Sequence, residues 1–349
     1  MTDLLALTEQ LCAVPSVSGN EAAIADLVEA RLREHAPKLE ITRIGANVVA
    51  RTDSGAPQRV VLGGHLDTVP PNGNATPRLD GDTLHGLGAA DMKSGLAVML
   101  ELAAAVEGDA RERDVTFVFY DGEEVADEHN GLRRLFAERA DLVTCDMAVL
   151  LEPTGGWIEA GCQGTIHVRA TFRGTRSHSA RPWMGVNAVH RAAPLLGRIA
   201  AYEAPTVTVD GLAYRESLQV VRVEAGIANN VVPDRCDVIV NRRYAPACTF
   251  DEAIAQTRAL VADADDVEIV NASPAAAPNL GHPLVGEIIA MTQGARPKFG
   301  WTDVARFTEH GIPAVNFGPG DPELAHTAGE LVERAELEEC LRVLAAFVG

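Results

Sequence analysis

Residues 60–70, VVLGGHLDTVP, constrain the fold of this chain more than any other stretch. The apolar, β-branched residues at the start predict a short buried strand, which the two glycines are expected to end. His65 and Asp67 follow at once. Ligands of open α/β sheets bind just beyond the carboxyl ends of the strands, so His65 is placed to coordinate a metal ion. Asp67 would fix the orientation of a ligand or of a catalytic group. A solvated polar loop is the alternative that this stretch alone leaves open.

Two further apolar runs end in the same way. Residues 114–120 are strongly β-forming and lead into residues 121–124, DGEE, and the buried strand predicted at 146–151 leads into Glu152. Adjacent glutamates beyond a strand are often only a solvated helix start. Three successive strands that each deliver His or Glu at the same end nevertheless favour a metal site. One of the two adjacent glutamates would then face the metal, and the other its bound water.

Asp91 lies where a glycine-rich turn, residues 87–95, enters a predicted helix. The turn does not predict dinucleotide binding, because the third glycine of that motif and a Walker lysine are missing. An aspartate at such a junction is usually an N-cap. The other candidate ligands favour a metal-binding role for it here.

The candidate metal ligands are imidazoles and carboxylates without a thiolate, which fits zinc in a hydrolytic site, with cobalt or manganese as the alternatives. They are His65, Asp91, Glu124, Glu152 and His326. Five ligands suit two ions better than one, with Asp91 as the bridge. Glu123 beside them would be the general base. His178, in a polar loop, is either a solvated side chain or a donor to a developing oxyanion.

The order of predicted elements indicates an α/β protein with an inserted domain. The pattern changes at residue 164, and residues 165–172 alternate apolar and polar residues, as in a strand of an antiparallel sheet with one solvent-exposed face. The order of the predicted elements from there to residue 278 is β-α-β-β-α-β, the split ferredoxin-like unit. We therefore expect a catalytic metal-binding domain from 1–163 and 279–349, with an α+β domain at 164–278. A chain of 349 residues suits such a division.

Charge and cysteine content limit the possible binding partners and the possible cellular location of the protein. The net charge of −19, without a basic cluster, argues against nucleic acid or an anionic membrane as a partner. None of the 6 cysteines forms a C-x-x-C pair, so they are expected to be reduced core residues. Without an apolar run of membrane-spanning length or a secretory signal, a cytoplasmic location is expected.

Five segments together resemble the M20 peptidase family of dimetallic amidohydrolases. They are residues 64–70 (GHLDTVP), 88–95 (GAADMKSG), 122–124 (GEE), 151–154 (LEPT) and 325–326 (AH). The resemblance implies a phosphorylase/hydrolase-like zinc-peptidase catalytic domain with an inserted ferredoxin-like lid and dimerisation domain, and hence a homodimer. It implies one zinc ion on His65, Asp91 and Glu152, and a second on Asp91, Glu124 and His326. It also implies a cis peptide bond after Asp91.

Within the family, the chain is most similar to the actinobacterial succinyl-diaminopimelate desuccinylases, through residues 177–183, 228–234, 301–307 and 318–322. This resemblance implies that His178 reaches the site of the partner subunit and binds the substrate carbonyl. It implies that Asn229, Asn230 and Arg243 bind substrate carboxylates, and Arg306 is a further candidate for that role. Two features depart from better-known desuccinylases: Gln163 stands where they have arginine, and residues 302–306 differ from their Ser-Asp-Gly-Arg-like segment.

The expected reaction is hydrolysis of N-succinyl-LL-2,6-diaminopimelate, an anionic N-acyl amino acid, to succinate and LL-2,6-diaminopimelate by a metal-bridged hydroxide. This reaction is a step of lysine biosynthesis. Acetylornithine deacetylation, or another aminoacylase or carboxypeptidase activity on the same scaffold, is the first alternative. A non-catalytic binding protein with the same fold is the second.

Overall fold

The computed structural model describes residues 3–106 and 112–349, which divide into two compact units. The first unit comprises Met1–Ala160, Asn279–Arg296 and Arg306–Gly349, and the second comprises Gly161–Pro278 and Pro297–Ala305. Residues 161–163 and 297–305 therefore fall in the second unit, not in the first as the sequence led us to expect. Hydrogen bonds account for this difference, since the Gln163 N–H donates to the Lys298 carbonyl at 3.2 Å.

The helices and strands follow one another along both units. The helices are α1 (Leu4–Cys12), α2 (Ala22–His35), α3 (Lys93–Ala105), α4 (Gly131–Val143), α5 (Ala188–Ala200), α6 (Phe250–Leu260), α7 (Pro283–Ala290), α8 (Val304–Glu309) and α9 (Arg334–Val348). The strands are β1 (Glu40–Ile44), β2 (Asn47–Arg51), β3 (Gln58–His65), β4 (Arg78–Asp80), β5 (Thr83–His85), β6 (Arg113–Tyr120), β7 (Met147–Leu150), β8 (Ile158–Ala160), β9 (Gly164–Arg173), β10 (Ser177–His178), β11 (Thr206–Val209), β12 (Leu212–Arg215), β13 (Ser217–Ala225), β14 (Val231–Val232), β15 (Arg235–Tyr244), β16 (Asp266–Ser273), β17 (Ala295–Pro297), β18 (Ala314–Asn316) and β19 (Leu331–Glu333).

The main sheet of the first unit has the strand order β1-β2-β6-β3-β7-β18-β8-β17. Strand β3 pairs in parallel with β6 and with β7, and β7 pairs in parallel with β18. Every residue of β6 and β7 is buried, as the near-continuous apolar runs of parallel strands require. Because these strands are parallel, their carboxyl ends meet at one edge of the sheet.

The two glycines of β3 do not end the strand, which continues through Gly63 and Gly64 to His65. The expectation that they break it was wrong, because their role is to leave space. A Cβ on Gly63 would lie 2.7 Å from Leu150 Cδ2, and a Cβ on Gly64 would lie 2.5 Å from Met92 Cε. The neighbouring side chains fill the space that the missing Cβ atoms leave.

The second unit confirms the ferredoxin-like prediction. Its chain order β9-α5-β13-β15-α6-β16 builds an antiparallel sheet with the spatial order β13-β15-β9-β16. Side chains of β9, such as Val168 and Phe172, share a buried core with Leu195 of α5. The hairpin of β11 and β12 and the short pair of β10 and β14 are additions that the sequence pattern did not predict.

Throughout residues 3–106 and 112–349, every helix is too short or too polar to cross a membrane.

Gly95 of α3 allows this helix to approach the backbone after β7 closely, and a substitution tests this. A Cβ on Gly95 would lie 2.5 Å from the carbonyl oxygen of Leu151, so Gly95→Ala should destabilise the protein by about 1–3 kcal/mol. Gly286 of α7 is the matched control, because a Cβ there meets nothing within 4 Å. Gly286→Ala should stabilise the protein by about 0.5–1 kcal/mol. Urea unfolding measures both, and effects of the same sign would contradict the close approach.

Candidate metal centre

The polar side chains that follow β3, β6 and β7 lie together at the carboxyl edge of the main sheet. His65 is the last residue of β3, Glu123 and Glu124 follow β6, and Glu152 follows β7. Ligand atoms of His65, Glu123 and Glu124 lie within 4.8 Å of one another. The parallel strand pairing explains this arrangement, because it brings residues far apart in the chain to one place.

Asp91 lies between two imidazoles and offers one carboxylate oxygen to each. His65 Nε2 is 3.1 Å from Asp91 Oδ1, and His326 Nε2 is 3.3 Å from Asp91 Oδ2. Each histidine also faces a second carboxylate: Glu152 Oε1 is 3.9 Å from His65 Nε2, and Glu124 Oε1 is 2.7 Å from His326 Nε2. The two resulting groups share Asp91, and each keeps its ligand atoms within 4.8 Å.

The tautomer of His65 is the observation that tests whether this cluster fits a cation. His65 Nδ1 lies 2.9 Å from the backbone carbonyl oxygen of Asp67, an acceptor, so Nδ1 carries the proton. When the ring is neutral, Nε2 therefore carries a lone pair, and this lone pair faces the carboxylate of Asp91. Two acceptors at 3.1 Å require a proton or a metal cation between them. The donor set therefore fits a divalent ion.

The pKa values of the cluster also reflect that it holds more hydrogen-bond acceptors than donors. Burial disfavours the charged ring of His65, but hydrogen bonds with Asp67 and Asp91 outweigh it and raise the pKa of His65 well above its usual range. Hydrogen bonds with Asp91 and Glu124 raise the pKa of His326 to about 10. Burial opposes ionisation of Asp91, yet the bonds with His326 and His65 leave its pKa below the usual range. The cluster thus attracts positive charge.

Asp67 is fully buried and connects the end of β3 to the loop after β6. Its Oδ1 accepts a hydrogen bond from the Glu123 N–H at 3.0 Å, and its Oδ2 accepts one from the Glu124 N–H at 3.0 Å. The Ser18 hydroxyl donates to the same Oδ2 at 2.7 Å. Burial alone would raise the pKa of Asp67, but its bonds with His65, Ser18 and the Glu124 N–H lower it to about 2. Asp67 therefore positions the loop of the two glutamates and, through its carbonyl group, the ring of His65.

His178 and the turn that carries Asn229 and Asn230 lie side by side in the second unit. His178 of β10 pairs with Val231 of β14, and the Ser179 N–H donates to the Asn230 carbonyl at 2.9 Å. The exposed ring of His178 accepts a hydrogen bond at Nδ1 from the Ala180 N–H at 3.0 Å. Its Nε2 is then the protonated nitrogen, which can donate to a ligand.

Arg243 of β15 is half-buried, and Thr165 of β9 and Ser217 of β13 are its strand neighbours. Burial lowers the pKa of Arg243 from its usual value. Among the residues that the structure describes, no carboxylate forms an ion pair with it. A half-buried guanidinium of this kind suits an anionic group of a ligand.

Gln163 and Arg306 already have partners. The side-chain amide of the buried Gln163 donates to the Arg215 carbonyl at 2.8 Å, so it supports the end of β12. The guanidinium of Arg306 lies 2.6 Å from Asp127 and is only 8% exposed. A substrate carboxylate at Arg306 would have to share this cation with Asp127.

Sequence reasoning missed three residues around the cluster. They are Ser18, which binds Asp67; Lys93, whose buried ammonium donates to the Val14 carbonyl at 2.8 Å; and Glu330, which accepts hydrogen bonds from the backbone beside Asp91. The signal for Lys93 was its place in the segment 88–95, two residues after Asp91. The bond between Asp91 and Met92 is cis, which confirms the expectation for this position.

Comparison with known proteins identifies the family. Residues 61–349 match the model of peptidase family M20/M25/M40. The chain belongs to the M20 peptidase family. The DapE protein of Mycobacterium tuberculosis strain H37Rv is 46% identical over 353 residues, which cover 99% of this chain and 98% of that protein. A succinyl-diaminopimelate desuccinylase of Corynebacterium glutamicum is 42% identical over 354 residues, which cover 99% and 96%.

Solved structures of other proteins share the fold of this chain. The aminopeptidase PepT from Bacillus cereus superposes with a TM-score of 0.80 at 22% identity, covering 99% of this chain and 97% of that one. The YXEP protein of Bacillus subtilis, a dinuclear metal-binding peptidase of the M20 family, gives a TM-score of 0.69 at 16% identity and covers 99% and 96%. These likenesses confirm the predicted α/β fold class.

The hydrogen bonds of Asp67 predict how its loss affects metal binding. Asp67→Ala leaves the N–H groups of Glu123 and Glu124 without their acceptor, so we expect zinc affinity to fall about 10- to 100-fold. Ser18→Ala removes one of several bonds to Asp67 and should cost less than about tenfold. Asp53→Ala, at an exposed acid, is the control. Chelator competition measures the affinities, and wild-type affinity in Asp67→Ala would contradict this role.

Proposed function

We propose that this protein is a metal-dependent amidohydrolase that converts N-succinyl-LL-2,6-diaminopimelate to succinate and LL-2,6-diaminopimelate. The observation that carries the proposal is the similarity, over 99% of the chain, to the Corynebacterium glutamicum protein named succinyl-diaminopimelate desuccinylase. The intact cluster around Asp91 also supports an enzyme. A binding protein would not need the general base Glu123 beside the metal ligands.

His65, Asp91 and Glu152 would hold one metal ion, and Asp91, Glu124 and His326 would hold the other. Imidazole and carboxylate ligands without a thiolate favour zinc, with cobalt or manganese as the alternatives. A bound pair of such ions polarises a carbonyl group and makes a water molecule a stronger acid.

Glu123 is the proposed general base. Its backbone is fixed by the N–H bond to Asp67, and its side chain lies beside His65 and Glu124. Glu123 would take a proton from the attacking water and deliver it to the nitrogen of the leaving amine. A carboxylate next to a cationic site can hold the proton between these two steps.

His178 is the proposed donor to the oxyanion that forms when the succinyl amide carbonyl is attacked. The hydrogen bond from Ala180 to Nδ1 supports this role, because it leaves Nε2–H directed to other partners. The family resemblance implies that His178 reaches the site of the partner subunit, so this role would require a dimer.

The substrate carboxylates need cationic and amide donors, and four side chains are candidates for that role. Arg243 is the first candidate because its half-buried guanidinium has no ion-pair partner among the described residues. Asn229 and Asn230, on the exposed turn next to His178, are the second. Arg306 is a further candidate that would share its charge with Asp127.

We also propose that the second unit forms a homodimer and acts as a lid. Strand β13 is an edge strand, and Val221 and Val223 on it are 56% and 47% exposed. The nearby Ile227 is 65% exposed. Apolar side chains on an open edge favour pairing with a second strand. Light scattering should give twice the chain mass of 37.0 kDa.

The cytoplasmic location stays a prediction.

A substrate panel tests the proposed reaction. The purified, zinc-loaded protein should hydrolyse N-succinyl-LL-2,6-diaminopimelate with a kcat/KM at least about 100-fold above those for N-acetylornithine and small dipeptides, since only the first substrate satisfies all the proposed carboxylate contacts. Faster turnover of N-acetylornithine or of a dipeptide would assign the sister activity instead. Failure to hydrolyse any member of the panel would support a non-catalytic protein.

The role of Glu123 predicts a separation of metal binding from catalysis. Glu123→Ala should keep the metal content and the thermal stability of the wild type, while kcat falls by about 10²–10⁴-fold. Glu128→Ala is the matched control, because this exposed glutamate lies in the same loop. It should leave kcat unchanged. Turnover retained in Glu123→Ala would remove Glu123 from the mechanism.

A further inference from the structure

Glu330 is a buried carboxylate outside the candidate ligand set, and it contacts the backbone that carries Asp91. It is 1% exposed, and its Oε1 accepts hydrogen bonds from the Ala90 N–H at 3.1 Å and from the Asp91 N–H at 3.0 Å. One oxygen therefore satisfies two adjacent N–H groups of the turn that presents Asp91.

The same residue belongs to the segment that carries His326. The backbone carbonyl of Glu330 accepts a hydrogen bond from the Gly86 N–H at 3.1 Å, and the Asn74 side-chain amide donates to the Thr327 carbonyl at 3.1 Å. These bonds join residues 326–330 to the loop before Asp91. Glu330 is thus bonded to the Asp91 segment through both its side chain and its main chain.

His326 needs such an anchor because its backbone is strained. Its φ of 63° lies in the left-handed region, which residues with a Cβ rarely adopt. Such a conformation persists only where the surrounding structure fixes it. The bonds of Glu330 and Asn74 lie within four residues of His326 and provide this constraint.

The turn before Asp91 has little freedom to compensate for a change at Glu330. Gly88 has a φ of 80°, and a Cβ on it would lie 2.9 Å from Lys93 Cδ. The Lys93 N–H donates to the Gly88 carbonyl at 2.8 Å. A turn this tight keeps the Ala90 and Asp91 N–H groups directed at one point, where Glu330 Oε1 lies.

We propose that Glu330 is a positioning residue that fixes Asp91 relative to His326 and thereby sets the affinity of the centre for divalent metal ions. The role depends on a side chain long enough to place an acceptor oxygen at the Ala90 and Asp91 N–H groups, and not on its negative charge. The inference rests on the proposed function in one respect, that Asp91 and His326 are metal ligands.

Two conservative variants separate the effect of side-chain length from the effect of charge. Glu330→Gln keeps the length of the side chain and a carbonyl oxygen, so its zinc affinity should stay within about threefold of the wild type. Glu330→Asp keeps the charge but is one methylene shorter, so its zinc affinity should fall about 10- to 100-fold. Chelator competition at saturating indicator measures the affinity. The melting temperature of the metal-free protein is recorded for each variant.

Glu336→Asp is the matched control. Glu336 accepts the Glu333 N–H at 2.9 Å in the first turn of α9, so the substitution shortens a glutamate with the same kind of bond in the same unit. It should lower the melting temperature and leave zinc affinity unchanged. A purely structural role of Glu330 would give the same pattern as this control, which would overturn the proposal.

Other outcomes also decide the matter. Wild-type zinc affinity in Glu330→Asp, or a tenfold loss in Glu330→Gln, would overturn the proposal, and the second result can be obtained even if the Asp variant does not fold. If the wild-type protein binds no metal, the proposed function fails. If the wild type binds zinc and hydrolyses its substrate while Glu330→Asp retains full affinity, only the present inference fails.

Discussion

The carboxylate of Asp91, held between two imidazoles, is the contact on which the rest of the site depends. One of its oxygens faces His65 and the other faces His326, so both halves of the cluster are built around one side chain. His65 comes from the end of β3, Asp91 from the turn before α3, and His326 from a loop near the C-terminus. The sheet and this turn must therefore be placed correctly before the site can exist.

Holding several carboxylates together has an electrostatic cost, which the surrounding backbone reduces. Asp67 accepts two N–H groups and one hydroxyl, and Glu330 accepts two further N–H groups. These bonds disperse negative charge and fix the ligand segments at the same time. The remaining excess of acceptors faces the space between His65, Asp91 and His326, where a cation reduces it most effectively.

Much of the site could be predicted from sequence because parallel strands leave a local pattern. Three apolar runs, each followed by His or Glu, were enough to place His65, Glu124 and Glu152 at one edge, since parallel strands align their ends. The alternation of β9 and the element order after it likewise predicted the ferredoxin-like unit. Both arguments need only residues close in sequence and a general rule of sheet geometry.

The distant partners that hold the ligand segments, Ser18 and Glu330, could not be predicted in this way. Ser18 and Asp67 are 49 positions apart, and Glu330 and Asp91 are 239 positions apart. Hydrogen bonds from a side chain to a distant backbone leave no periodic pattern. Gly63 and Gly64 were misread for a related reason, because the need for space arises from Leu150 and Met92 in other elements.

If Asp91 is shared by two metal ions, anomalous diffraction at the zinc edge will locate both of them. Crystals of the zinc-saturated protein should show two peaks per chain, the first about 2.0–2.2 Å from ligand atoms of His65, Asp91 and Glu152, and the second at the same distance from Asp91, Glu124 and His326. A single peak, or two peaks of which only one contacts Asp91, would show that Asp91 does not bridge two ions.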